Sequence, residues 1–307
     1  MIANFFNKTK PVIVVNLLIL FTILYLLSNF LTQNIELSLI SIASKIGLLF
    51  GFIFMLFVVN FILRKNNLTE DNSYSLLIFI LFLSSFNETF YSEKLFFSNL
   101  FLLFAFRKIY SLNSGFNTIQ KLFDAGLWIG LSTLIYQWSV LFFLLIYLAM
   151  FIYRNINFKN LFVPILGFIS PVIIFFTYHF YNDNLNVFYS SFNFEYGLDF
   201  QNYNSLKILI PLTLLITLLI WCIINLIPKI VLTSKNFKAA WQILIIHLII
   251  SIIIIIAAPL KNGSELFFIF LPAAIVITNY LQKTTSNIFK NMILYFILVV
   301  ALGVYFL

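Results

Sequence analysis

Charge is what this sequence has least of. Only 9% of its 307 residues are charged, against about 25% in a soluble domain. That deficit excludes a water-soluble fold of this length, because so much apolar surface needs lipid as its solvent. Cysteine is nearly absent as well. Cys222 stands alone, which excludes an intramolecular disulfide, and no Cys/His spacing suggests zinc. No metal or cofactor is expected. There is no glycine-rich phosphate loop, nucleophile elbow or dinucleotide-binding fingerprint. Internal repeats, low-complexity tails and separable soluble domains are missing too, so the chain reads as one integral membrane domain over residues 1–307.

What is present is apolar. Hydrophobic residues make up 62%, forty of them Phe, and the mean hydropathy is +1.05. The fold class is all-α, a polytopic transmembrane helix bundle of about eleven spans. The expected spans are 11–31, 46–63, 74–86, 95–106, two within 122–153, then 161–181, 207–228, 241–259, 265–281 and 292–307. The first begins after Lys8 and Lys10, and no small-x-small cleavage site follows it, so it is read as retained. Residues 122–153 are too long for one span and slightly short for two. A tight turn near Tyr136, Gln137 and Trp138 divides them.

Loop charge orients the chain. With the N-terminus inside and the C-terminus outside, fourteen of the eighteen basic residues fall inside. Glu36, Glu88, Glu93, Asp183, Glu195, Asp199 and Glu265 fall outside. Reading 122–153 as one span would flip every later loop and erase the bias. The net charge of +8 is spread over many short loops and forms no patch for nucleic acid. Membrane lipid is the expected surrounding, with other membrane proteins as further partners.

The outer side therefore carries the candidate chemistry. The stretch Lys261-Asn262-Gly263-Ser264-Glu265 joins two long apolar segments, with Pro259 before it and Pro272 after it. Glu36, Glu88, Glu93 and Glu265 are the candidate catalytic carboxylates. Lys261, Asn262 and His247 are the candidate substrate-binding residues. Each has a plainer reading. Glu265 also suits a helix start electrostatically, the other carboxylates also suit solvated loops, and His247 also suits a neutral imidazole bonded between helices.

Two resemblances bear on function. The opening Phe5-Phe6-Asn7-Lys8-Thr9-Lys10-Pro11 and the late Lys261-Asn262-Gly263-Ser264-Glu265-Leu266 with Pro272 resemble an uncharacterised family of multi-spanning bacterial inner-membrane proteins, a domain of unknown function. That resemblance implies location and fold and no activity. Residues 95–181 are similar in layout to the GT-C membrane glycosyltransferases. Short helices and a basic loop precede Asp124-Ala125-Gly126-Leu127-Trp128-Ile129-Gly130, and a long apolar run, Arg154 and a Pro-containing span follow. This likeness implies transfer of a sugar from a polyprenyl-phosphate-linked substrate, with an acidic residue in the first outer loop as base. Glu36 matches that position, although the acidic pair frequent there is replaced by Asn34-Ile35-Glu36 and no outer soluble domain is present. Two other readings stand beside it. A transporter or flippase would gather His247, Asn225 and Gln137 at broken helices. A non-catalytic component of an envelope complex would offer a groove to a partner.

Overall fold

A computed structural model describes residues 2–32, 39–230 and 233–307. The described residues are helical, with no strand among them. In chain order the helices are α1 (Ile2–Phe6), α2 (Pro11–Thr32), α3 (Leu39–Lys65), α4 (Tyr74–Ser85), α5 (Glu93–Tyr110) and α6 (Thr118–Ile135). They continue with α7 (Phe142–Ile152), α8 (Phe158–Tyr181), α9 (Leu185–Ser190), α10 (Leu206–Ile230), α11 (Lys235–Ala257), α12 (Phe267–Gln282) and α13 (Asn287–Gly303). Helix is the form that pairs every backbone polar group within its own segment, which an apolar solvent requires.

Eight helical segments among the described residues are long and apolar enough to cross a membrane, fewer than the eleven expected spans. The other three expected spans correspond to α4, α6 and α7. With 12 residues, α4 extends about 18 Å, short of a hydrocarbon core of about 30 Å. α7 has 11 residues. α6 has 18 but opens with Thr118, Gln120, Lys121 and Asp124, and Lys108 holds Asp124 at 2.5 Å. The division of residues 122–153 occurs at Tyr136, whose extended backbone ends α6. A 3-10 turn, Gln137–Leu141, then leads into α7.

The chain forms two compact units. The first comprises Met1–Glu93, Asp199–Leu232 and Lys261–Leu307. Its centre is α12, apolar on every side and enclosed on every side, as a uniformly hydrophobic helix must be. α4 lies against it and is buried along its whole length. Phenylalanines knit the two together. Phe270 lies 6.0 Å from Phe82 and 5.6 Å from Phe86, centroid to centroid, and Phe267 lies 6.4 Å from Phe79.

The second unit comprises Lys94–Leu198 and Thr233–Leu260. Its tightest contact is between α6 and α8, where backbones meet at glycines. A Cβ on Gly126 would lie 2.2 Å from the Pro164 carbonyl oxygen, and one on Gly167 would lie 2.2 Å from that of Phe123. Small residues allow this approach where no hydrophobic drive pulls helices together. Beside the break between α6 and α7, the buried Ser98 hydroxyl lies 2.8 Å from Ser132 Oγ and 2.9 Å from Ser139 Oγ. That hydroxyl cluster ties α5 to both sides of the interruption.

Candidate functional site

Three short segments of the first unit meet around one polar cavity. The 3-10 turn Asn87–Phe90 follows α4, the 3-10 turn Gln201–Asn204 precedes α10, and the 3-10 turn Ser264–Leu266 precedes α12. The last is reached through Gly263, whose φ of +93° lies where only glycine is relaxed. Asn262 fixes this bend by accepting from Ser264 N–H at 3.1 Å and from Ser264 Oγ at 2.6 Å. This is the local Asx-type bonding that favours Asn in turns.

Glu265 and Lys261 lie inside that bend. Glu265 is 1% exposed and Lys261 3%. The Tyr203 hydroxyl donates to Glu265 Oε1, and the Gly263 N–H donates to Oε2 at 3.0 Å. Lys261 Nζ sits 5.1 Å over the Phe200 ring. Burial lowers the Lys261 ammonium below its ordinary range, and the charge of Glu265 opposes that shift. A buried charge is tolerated only when its surroundings compensate it. Here Glu265 accepts two hydrogen bonds and Lys261 lies over an aromatic face. These contacts also fasten the 200–203 segment to the bend before α12.

The cavity has a volume of about 480 Å³. Ser85, Asn87 and Glu88 line it from the end of α4. Gln201, Asn202, Ser205 and Lys207 line it from the approach to α10, and Asn262 from the bend. Asn87 Oδ1 is shielded from solvent and has no hydrogen-bond partner among the described residues. Burial raises the Glu88 carboxyl above its ordinary value. The wall thus offers amide and hydroxyl groups, one carboxylate and one ammonium. Such a surface suits a hydroxyl-rich ligand carrying a negative charge.

Of the residues expected to form a site, Glu88 and Asn262 face this cavity, and Lys261 and Glu265 lie in the bend that carries Asn262. Glu93 is exposed in the first turn of α5 and is not among the cavity-lining residues, where its charge suits the helix N-terminus. Glu36 lies outside the described residues. His247 belongs to the second unit. Its ring lies 4.0 Å from Phe106 and 5.4 Å from Phe142, centroid to centroid, and its Nδ1 lies 3.0 Å from the Tyr110 hydroxyl. Asn87, Gln201, Asn202, Tyr203 and Lys207 were missed. The signal available for the segment before α10 is the polar run Gln201-Asn202-Tyr203-Asn204-Ser205. Among the described residues, no group of three or more His, Cys, Asp or Glu is placed to hold a metal ion.

Apolar helices of spanning length and a polar cavity built from the segments between them define a membrane-type helical protein with a partly open polar cavity in its first unit. The chain belongs to a family of unknown function, DUF6427, whose model matches residues 1–307. No curated protein and no solved structure matches it. The likeness to GT-C glycosyltransferases gains no support. Gly126 and Gly130, which helped to carry it, are accounted for by the close crossing of α6 and α8.

Proposed function

We propose that this chain is a multi-pass protein of the bacterial inner membrane, with its N-terminus inside, that binds the polar head of a lipid-linked sugar in the first-unit cavity. Loop charge supports the orientation, because it puts Glu88, Lys207 and Glu265 on the outer side together. The observation that carries the ligand assignment is the cavity wall. Six of its lining residues, Ser85, Asn87, Gln201, Asn202, Ser205 and Asn262, carry neutral amides or hydroxyls. Sugar hydroxyls satisfy such groups. Lys207 supplies a positive charge for the linking phosphate. Glu88, whose carboxyl burial raises above its ordinary value, is the group to accept the proton of an acceptor hydroxyl as that oxygen attacks the sugar's anomeric carbon and the polyprenyl phosphate departs.

Binding tests this directly. The purified protein in detergent, mixed with polyprenyl-phosphate-linked sugars, is expected to retain one of them in native mass spectrometry. Asn87→Leu and Glu88→Gln are expected to weaken retention about ten-fold or more. If no such lipid is retained, or both variants retain it as the unaltered chain does, the assignment fails.

A further inference from the structure

The first unit has a second group of interacting polar side chains, away from the cavity, where α10 and α12 end. Lys229, in the last turn of α10, donates to the carbonyl of Lys283, the residue that caps α12, at 3.2 Å. Lys229 Nζ also lies 6.0 Å from the Tyr280 ring centroid. Tyr280 accepts at its hydroxyl from Trp221 Nε1 at 2.9 Å. The Lys229 ammonium and two amphipathic rings are thus joined in one cluster, to which Lys283 contributes its backbone carbonyl. Burial and the nearby charge of Lys229 hold the Lys283 ammonium below its usual range, with Glu70 acting in the opposite sense. Gln282, the neighbour of Lys283, has its side-chain amide nitrogen shut off from solvent with no partner among the described residues. Anionic oxygens beside the exposed Lys229 would offset the repulsion between the lysines.

The surface leading to this cluster says which anion fits. Ile220, Trp221, Ile224 and Ile227 are all exposed, and their spacing puts them along one face of α10. That apolar stripe ends at the exposed Lys229. An acyl chain matches the stripe and a phosphate matches its basic end, with Trp and Tyr at the level where such rings favour the lipid interface. We infer that Lys229, Lys283, Tyr280 and Trp221 form a binding site for the phosphate of an anionic phospholipid whose chain lies along α10.

The test uses the full-length protein, delipidated in detergent and titrated separately with phosphatidylglycerol, phosphatidylcholine and inorganic phosphate, read by native mass spectrometry. Phosphatidylglycerol is expected to bind at least about ten-fold more tightly than phosphatidylcholine. The double variant Lys229→Gln/Lys283→Gln is expected to lose that preference, and Lys229→Arg/Lys283→Arg to keep it. If the double Gln variant does not fold, as judged by thermal unfolding, the single Lys229→Gln and the double Arg variant decide in the same way. Equal binding of the two lipids overturns the site, and so does a preference that survives loss of the lysines. Lysine-dependent binding of inorganic phosphate without a preference for phosphatidylglycerol overturns the lipid assignment in favour of a soluble phosphate.

Discussion

At the scale of single residues, the network behind the cavity makes the sharpest demands. Tyr203→Phe keeps the ring and removes the donor to Glu265. Leaving an enclosed carboxyl group short of a donor is expected to cost roughly 1–3 kcal/mol, read as a lower unfolding temperature in detergent. Glu265→Leu leaves the Gly263 N–H and the Tyr203 hydroxyl without their acceptor. Losing the acceptor of enclosed donors is expected to cost roughly 1–3 kcal/mol. The double variant Glu265→Leu/Tyr203→Phe is expected to recover part of that loss in the same measurement. Glu88 behaves differently. Burial lifts its carboxyl above the ordinary 4.5, so the folded protein binds that proton more tightly than the unfolded chain. The resulting stability is complete below pH 4.5 and is lost as pH rises through the elevated folded value. Glu88→Gln is expected to flatten that part of a stability-against-pH curve. Glu265 and Lys261 were legible in the sequence because charges beside apolar spans are rare. Tyr203 and Asn87 were not, because a tyrosine and an asparagine in a loop carry no such signal until the fold brings them to the bend.

At the scale of elements, the glycines show how a pattern read correctly can be attributed to the wrong cause. Gly126 and Gly130 were noticed as a layout shared with an enzyme class. Their role here is the crossing of α6 with Pro164, Gly167 and Pro171 of α8. A methyl group on Gly126 would meet a backbone oxygen rather than a movable side chain. Gly126→Ala is therefore expected to force the helices apart at a cost of roughly 1–3 kcal/mol, checked by thermal unfolding. Gly263→Ala would set its new methyl in ordinary van der Waals contact with Phe86 and Ile208 but at an unfavourable φ of +93°, a cost of roughly 1–2 kcal/mol that falls on the bend holding Asn262. The turn dividing 122–153 was legible because loop charge required it. The hydroxyl cluster of Ser98, Ser132 and Ser139 that surrounds it was not. These residues lie up to 41 positions apart, and nothing local in the sequence pairs them.

At the scale of the whole molecule, hydropathy made the all-helical class and the membrane character plain, because a 9% charge content leaves few alternatives. It was less informative about how many helices span. An apolar run records burial, and α4 and α12 are buried against protein, so the same composition serves a short enclosed helix and a full span. The split into two compact units was not visible either, because each is assembled from separated stretches of chain.

The central claim is that the first-unit cavity holds the head of a lipid-linked sugar. The most direct measurement is photo-crosslinking with a polyprenyl-phosphate-linked sugar bearing a diazirine on the sugar ring, followed by peptide mapping. The account predicts labelling within residues 85–88, 201–207 and at Asn262, reduced by excess unlabelled substrate. Labelling confined to other segments, such as the cavity lined by Phe151, Arg154 and Gln242, or labelling that excess substrate leaves unchanged, would contradict it.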